Sequence, residues 1–256
     1  MTHTLFLAWQ EPKSRSWFPI GRLTFDGGQY KFVYINGAQD AQQEHGFQPL
    51  HSFPELTKEY TSVELFPLFA NRLMRPSRPD YEAYVEWMNI PQHQDDPIAI
   101  LSRNGGRKAT DTFEMFPCPE PDAHGFYHIH FFSHGLRHLP ECSVNRIGEL
   151  QPNEQLYLAN EFQNPYDSRA LTLCTLDHHI LGYCPRYLAA DALDLLRENP
   201  KLIHVHAERV NPAPTPLQFR LLCNMTAEWP QDFRPFSGRE YQPIALDSQL
   251  QANAIM

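Results

Sequence analysis

The sequence predicts an α+β protein with two domains: an N-terminal sheet with helices, then a small C-terminal β-barrel of the OB-like type that carries one helix. At 256 residues the chain is longer than a typical domain of about 100–150 residues, so two separate cores fit it best. Alternating apolar and polar residues recur in short runs on both sides of a proline-rich break at residues 117–122. The 23 prolines against 12 glycines favour loops and short strands over long helices.

The first half alternates apolar and polar residues and then changes to helical spacing. An early strand is followed by a hairpin, because Asp26-Gly27-Gly28 supplies the positive φ that tight hairpins require. Further along, apolar residues recur at helical spacing in two segments, and Asp80 stands where the second helix needs its N-cap. The predicted strands are Leu5–Trp9, Ile20–Phe25 and Tyr30–Ile35, and the predicted helices are Ser62–Met74 and Tyr81–Met88.

A break at Pro117–Asp122 separates the two halves, since its prolines interrupt any regular element. An alternating strand follows at once, which places the domain boundary at about residue 124. We expect an N-terminal domain at 1–124, the barrel at 125–210, and an edge strand with an irregular extension at 211–256. The predicted strands here are Phe126–Phe132, Gln155–Glu161, Ala170–Leu176, Ile180–Cys184, Ile203–Val210 and, at the edge, Gln218–Met225, with a helix at Leu188–Glu198.

Charge and cysteine content narrow the possible function classes. A formal net charge of −9 argues against a protein that grips long duplex DNA, which takes a basic face, so any nucleic-acid contact should be local and weakly salt-dependent. The five scattered cysteines form no Cys-x-x-Cys pair, which argues against a disulfide framework or a zinc ribbon. The N-terminus has no positive n-region and only a short apolar run. We therefore expect a cytoplasmic protein that does not engage membranes.

Three segments of the second half form a recognisable series. In order they are Gly135-Leu136-Arg137-His138, Asn164-Pro165-Tyr166-Asp167-Ser168-Arg169-Ala170 and Leu181-Gly182-Tyr183-Cys184-Pro185-Arg186. With a strand between the second and third segments and a helix after the third, residues 128–210 resemble the HIRAN domain family. That resemblance implies a barrel that grips the 3′ end of single-stranded DNA.

The resemblance also implies how cations and rings of this pocket would act. Arg137 would contact a phosphate or base edge, and His138 would stack on the terminal base. Tyr183 would add stacking, and Arg186 a second phosphate contact. Stacking contributes about 1–3 kcal/mol per base, so an end pocket needs no large basic surface. An arginine near a strand end is also often a solvated or salt-bridged surface group, and that alternative stays open.

The Asn-Pro-Tyr-Asp segment has two interpretations. In the one that the resemblance implies, Asn164, Tyr166 and Asp167 line the pocket, and Asp167 accepts a hydrogen bond from the terminal 3′-hydroxyl. In the other the segment is a structural turn, since Asn and Asp bond their own backbone and proline fixes φ. Gly182 is expected to allow a close backbone approach within the barrel.

The first half is similar to the N-terminal subdomain of HipA-type proteins over about residues 5–110. The segments that carry this similarity are Ile20–Leu23, Phe32–Tyr34, Leu65–Leu73 and Pro97–Gly106. The kinase segments that follow this subdomain in HipA-type proteins have no counterpart here. The similarity therefore implies a module that docks a protein partner and does not transfer phosphate.

The histidines and the glycine turn are the other segments that could carry chemistry. His128, His130 and His134 have a spacing that metal sites use, but no second paired element accompanies them, so no metal or other cofactor is predicted. Asn104–Lys108 lacks the pattern of a phosphate-binding loop, and no nucleophile motif is present. We therefore expect a protein without enzymatic activity.

The pattern as a whole favours a DNA-binding module that recognises the 3′ end of a single strand, with an N-terminal domain that docks a protein partner. A bacterial defence, repair or toxin–antitoxin system would suit this pairing. The alternative is a protein-interaction module that does not bind DNA, and a third hypothesis is a metal-dependent hydrolase built on the histidines. The sequence indicates no oligomeric state.

Overall fold

Runs of strands and runs of helices follow one another along the chain, and the strands form two antiparallel sheets, which confirms the predicted α+β class. The computed structural model describes residues 3–91, 93–164, 167–228, 230–231 and 233–244. The strands are β1 (His3–Gln10), β2 (Trp17–Phe25), β3 (Tyr30–Tyr34), β4 (Tyr60–Ser62), β5 (Phe113–Pro117), β6 (Phe126–Phe132), β7 (Gln155–Asn160), β8 (Leu171–Cys174), β9 (Ile180–Tyr183), β10 (Ile203–Val210) and β11 (Leu221–Glu228). The α-helices are α1 (Asn36–His45), α2 (Pro67–Ala70), α3 (Tyr81–Trp87), α4 (Pro97–Asn104), α5 (Glu141–Glu149) and α6 (Arg186–Glu198), and short 3-10 helices lie at Leu136–His138, Pro200–Leu202, Leu217–Phe219 and Arg239–Tyr241.

The chain forms two compact units that interleave along the sequence. The first unit contains the described residues up to Arg78, then His93–Cys118, then those from Phe236 onward, and the second contains the residues between Pro79 and Gln92 and between Pro119 and Pro235. This division differs from the sequential domains expected from the sequence at two places. The predicted helix after Asp80 groups with the second unit, and the segment from Phe236 groups with the first.

The first unit is built on a five-stranded sheet in the order β4-β3-β2-β1-β5. The predicted hairpin is confirmed between β2 and β3, which pair in antiparallel register. The Asp26 side chain shapes its turn by accepting hydrogen bonds from the amides of Gly28 and Gln29, both at 2.9 Å. Gly27 has a φ of 94°, a conformation that favours glycine.

A buried tyrosine joins the sheet of the first unit to the loop that follows α1. The Tyr34 hydroxyl donates to the Phe53 carbonyl at 2.8 Å and accepts from the Leu50 amide at 2.7 Å. Its ring is fully buried with that of Phe32, and burial raises the pKa of Tyr34 above its usual range. The hydroxyl is neutral at physiological pH, as in any tyrosine, and the two hydrogen bonds satisfy it as donor and as acceptor.

The helix predicted at Ser62–Met74 is wrong for most of its length. Ser62 ends β4, and only Pro67–Ala70 is α-helical. Proline disfavours the helical conformation in the residue before it, and Phe66 accordingly has an extended ψ of 142°. The apolar residues of this segment pack on the core without a continuous helix.

Residues after the barrel complete the first unit. The ring of Phe236 lies 5.5 Å from that of Phe6 and 5.2 Å from that of Phe116, and the ring of Tyr241 lies 5.0 Å from that of Phe6. Pro243 forms a β-bridge with Ile35. The last described segment is thus part of the N-terminal core.

The second unit is a six-stranded sheet in the order β6-β11-β10-β7-β8-β9. The prediction that the last strand lies at an edge is wrong, because β11 lies between β6 and β10. It pairs with β6 from Phe126 to Phe132 and with β10 from Ile203 to Val210, so both of its sides are hydrogen-bonded. Alternation showed that this segment is a strand, but it carries no information on which strands are its neighbours.

The sheet of the second unit curls until its two edge strands meet. His134, two residues beyond β6, forms an antiparallel bridge with Tyr183 in β9. The His134 amide donates to the Tyr183 carbonyl at 3.0 Å, and the Tyr183 amide donates to the His134 carbonyl at 2.9 Å. These two bonds close the barrel that the sequence predicted. Helix α6 covers it with an apolar stripe of Leu188, Ala189, Ala192, Leu193 and Leu195.

The segment around α3 packs on the barrel unit. The Asn211 side chain donates to the carbonyls of Trp87, at 2.9 Å, and of Phe219, at 2.6 Å. The Arg209 guanidinium contacts the Glu86 carboxylate at 2.6 Å. Helix α3 was predicted at this place, with Asp80 at the N-cap, although the Asp80 carboxylate makes no capping bond.

None of the helices in the described residues has the length and apolar character that are needed to span a bilayer.

Closure of the barrel should be sensitive to a side chain at Gly182. Its φ is 118°, and a Cβ atom there would lie 2.1 Å from the Ser133 Oγ and 2.5 Å from the His134 carbonyl oxygen. We expect Gly182→Ala to lower the free energy of unfolding by about 2–4 kcal/mol, through backbone strain and overpacking, in urea denaturation. Gly148→Ala is the matched control, since its Cβ would meet nothing within 4 Å on the exposed side of α5. Equal stability of the two variants would contradict this account.

Candidate nucleic-acid interface

Two glycines bring the 3-10 helix Leu136–His138 against strand β9. Gly182 lets the backbone of β9 approach His134, as predicted from the sequence. Gly135 has a φ of 79°, and a Cβ there would lie 2.9 Å from the Tyr183 ring. The ring therefore lies against the backbone that leads into Arg137.

Arg137 and His138 lie exposed beside this junction. The Arg137 Nε donates to the His138 Nε2 at 2.9 Å, which requires the neutral imidazole with its proton on Nδ1. Among the residues that the structure describes, no carboxylate pairs with Arg137. Its two terminal nitrogens point donors at solvent and have the geometry that suits a phosphate.

Glu161 connects Tyr183 to the segment that carries the motif. Its carboxylate accepts from the Asn164 side-chain amide at 2.7 Å and from the Tyr183 hydroxyl. Burial, and after it the hydrogen bond to Glu161, raises the pKa of Tyr183 above its usual range. The Glu161 backbone amide donates to the Ala170 carbonyl at 2.9 Å, which fixes the base of the loop.

Asp167 is held by its own loop and by Arg186. The Asn164 Oδ1 accepts from the Asp167 amide at 3.1 Å, and the Asp167 Oδ1 accepts from the Arg169 amide at 3.0 Å. The Arg186 Nε contacts the Asp167 Oδ2 at 3.1 Å, with exposed side-chain fractions of 37% and 19%. Asn164 and Asp167 therefore make the turn contacts of the structural interpretation. Tyr166, the remaining predicted site residue, lies outside the described residues.

One continuous set of contacts thus joins the three motif segments. It runs from the Leu136–His138 helix through Tyr183, Glu161 and Asn164 to Asp167 and Arg186. The sequence interpretation missed Glu161, although it lies three residues before Asn164 at the end of a predicted strand. That position was the available signal.

Phe162 is a second residue that the sequence interpretation missed. Its side chain is 81% exposed, and it follows Glu161 directly in the loop. A phenylalanine exposed to this extent gains nothing from burial, so it adds no stability to the barrel. Its flat ring stands next to the loop that Arg186 contacts, where it is available for stacking.

The histidines do not converge on a point. His128 and His130 lie on the outer face of β6, opposite Thr226 and Asn224 of β11, with buried residues between them. His204 and His206 lie beyond β11 on β10, opposite the same two residues. Neighbouring strands are about 4.8 Å apart, which leaves these pairs about 10 Å from each other. In the described part of the chain no group of three or more metal-ligating side chains could hold an ion.

The second unit thus presents an exposed arginine and exposed rings beside the closure of a small barrel. In the comparison with known families, residues 126–229 match the HIRAN domain. HIRAN domains bind nucleic acid, which supports a DNA-binding module in general terms. The match includes all of β11 and begins at residue 126, beyond the segments at about 5–110 that are similar to HipA-type proteins. That similarity therefore remains a prediction.

Two solved structures are similar to part of the chain. A protein from Lactobacillus plantarum has 20% sequence identity over 40% of this chain and 97% of its own, with a TM-score of 0.31. The HIRAN domain of human HLTF has 23% identity over 50% of this chain and 88% of its own, with a TM-score of 0.29. No curated protein matches the chain.

The link between Tyr183 and Glu161 should be visible in a titration. We expect Glu161→Gln to lower the pKa of Tyr183 toward its usual value, because the hydrogen bond to a charged acceptor is lost while burial stays. The measurement is phenolate absorbance against pH, with the signal of Tyr183 taken as the difference from Tyr183→Phe. Glu154→Gln is the control on the same barrel. An unchanged titration in Glu161→Gln would show that the two side chains are not coupled.

Proposed function

We propose that the barrel binds the 3′ end of single-stranded DNA at the edge formed by Arg137, His138, Phe162, Asp167 and Arg186. The observation that carries the proposal is the continuous set of contacts between the three motif segments. It arranges side chains that no single element holds together, and it leaves the Arg137 guanidinium and the Phe162 ring exposed. The HIRAN match over the same residues supports this assignment.

Each exposed group has a distinct part in the proposed pocket. Arg137 binds a backbone phosphate, since a guanidinium presents paired donors to its oxygens. Phe162 and His138 stack on the last bases, an interaction that tolerates any base because all have a π-face. The pocket therefore recognises an end and not a sequence.

Asp167 supplies the recognition of the hydroxyl. The Arg186 Nε contacts its carboxylate at 3.1 Å and holds it in place. A carboxylate has about four acceptor positions, so it retains capacity after its contacts with Arg186 and Arg169. A terminal 3′-hydroxyl can donate to it, whereas a 3′-phosphate brings a like charge and is repelled.

The rest of the chain takes a supporting part in this proposal. The N-terminal unit docks a protein partner, as the similarity to the HipA N-terminal subdomain implies, and the protein acts in the cytoplasm without catalytic activity. A bacterial defence, repair or toxin–antitoxin system would use such a sensor of DNA ends. The barrel edge itself contacts one or two phosphates, in keeping with a net charge of −9.

Recognition of the hydroxyl predicts a preference between two ends. We expect short single strands with a free 3′-hydroxyl to bind more tightly than the same strands with a 3′-phosphate, in fluorescence anisotropy at low salt. Asp167→Asn should reduce this ratio, because the amide does not repel phosphate. A 5′-phosphate on the same strand is the control modification and should leave the affinity unchanged. Equal affinity for free and blocked 3′ ends would reject the pocket and leave the protein-interaction module as the better hypothesis.

The two exposed groups predict separate losses of affinity. Phe162→Ala and Arg137→Ala should each cost about 1–3 kcal/mol of binding free energy, the range for a stacked base or a charge-assisted contact. Leu176→Ala is the control for Phe162, since its side chain is 75% exposed in the turn before β9. Arg197→Ala is the control for Arg137, because it is exposed on α6 and paired with Asp194. If the control variants lose as much affinity as the pocket variants, the loss comes from a general change of the protein surface and not from the pocket.

A further inference from the structure

Six of the 21 basic residues of this acidic chain fall in two short segments of the first unit. The segments are 72–78, between α2 and α3, and 103–108, at the end of α4. They contain Arg72, Arg75, Arg78, Arg103, Arg107 and Lys108. We call Arg75, Arg107 and Lys108, which are exposed, the basic patch.

Buried Arg72 ties the two segments together. Its guanidinium donates to the Gly106 carbonyl at 2.7 Å and to both carboxylate oxygens of Asp111, at 2.6 and 3.2 Å. The Arg72 side chain is 1% exposed and that of Asp111 is 25% exposed, so the arginine of this pair is shielded from solvent. One consequence is that the turn after α4 is fixed beside residues 72–78. Another is that the charge of Asp111 is already neutralised.

The end of α4 sets the position of the turn. Gly105 and Gly106 take φ values of 72° and 56°, which end the helix and reverse the chain. The carbonyls at this end carry a partial negative charge that favours nearby cations. The acid next to α4 is at the other end of the helix, where the Asp96 side chain accepts hydrogen bonds from the amides of Ile98 and Ala99. The helix has eight residues, so its two ends are about 12 Å apart.

The basic patch keeps its charge exposed. Arg75, Arg107 and Lys108 form no ion pair with any residue that the structure describes. Near the turn, Glu114 is buried in β5 and lies against Gly105. A local excess of cations therefore stands out from a chain with a net charge of −9.

We propose that the basic patch binds the phosphate backbone of a nucleic acid, as a contact separate from the barrel edge. This inference rests on the proposed function, since the HIRAN match identifies the class of ligand. Two of its three residues are arginines, whose planar guanidinium matches phosphate oxygens. A lipid surface fits less well, because membrane-binding cations are accompanied by exposed apolar side chains, and none of the large ones in the described residues lies in these segments.

The test is the salt dependence of binding to a single-stranded oligothymidylate of about 30 nucleotides with a free 3′-hydroxyl. Arg107→Gln/Lys108→Gln should make the slope of log K against log salt concentration less steep by about 1.4, since each phosphate contact on a single strand contributes about 0.7. Arg75→Gln, on the other segment, should make it less steep by about 0.7. Lys13→Gln/Arg15→Gln is the matched control, with the same change of charge in the exposed β1–β2 loop of the same unit. Thermal unfolding of each variant reports that it is folded.

Failure of this inference and failure of the barrel proposal give different results. If the slope is unchanged in the patch variants, or changes equally in the control, the basic patch does not bind nucleic acid. If the patch variants lose slope while free and blocked 3′ ends bind equally, the basic patch is supported and the end pocket is rejected. Loss of binding to phosphatidylserine vesicles, with the DNA slope intact, would assign the patch to a membrane and overturn the inference. No binding of DNA by the unaltered protein would overturn both.

Discussion

Closure of the barrel between β6 and β9 is the contact on which the candidate interface depends. Two backbone hydrogen bonds between His134 and Tyr183 join distant parts of the chain, and they form because Gly182 presents no side chain at the point of approach. Once the strands meet, the Leu136–His138 helix begins beside the Tyr183 ring. The hydroxyl of that residue then reaches Glu161. The interface is thus built on a backbone junction, so changes to its exposed side chains should leave the barrel intact.

Acidic and basic groups have different tasks at this edge. Glu161 and Asp167 accept bonds from Asn164, Tyr183 and Arg186, which holds the loop in one arrangement before any ligand arrives. The groups left for a ligand are then a guanidinium and flat rings, whose contacts depend little on sequence. Preorganisation of this kind lowers the ordering cost of binding and makes a small contact area effective. An acidic protein can therefore carry a local site for an anionic ligand.

Local sequence patterns predicted the positions of the strands well, but they predicted poorly which strands are neighbours in the sheet. Alternation identified Phe126–Phe132 and Ile203–Val210 to the residue, because each has one buried face. It could not place β11 in the middle of the sheet, since pairing partners are set by tertiary contacts. Contacts join the motif segments in the structure. Glu161 was missed because its one local signal, its place three residues before Asn164 at the end of a predicted strand, is weak. The Ser62–Met74 helix was wrong because Pro67 keeps Phe66 out of the helical conformation, an effect that apolar periodicity does not reveal.

The return of the chain to its first unit sets an order for synthesis on the ribosome. Phe236 and Tyr241 provide the rings that cover Phe6 of β1, yet they emerge only after all barrel strands have been made. The N-terminal sheet of the nascent chain therefore keeps part of its apolar surface exposed to water at a stage when all strands of the barrel have been synthesised. A chain interrupted just before Phe236 would leave the N-terminal sheet, and not the barrel, as the incomplete part available to chaperones and proteases.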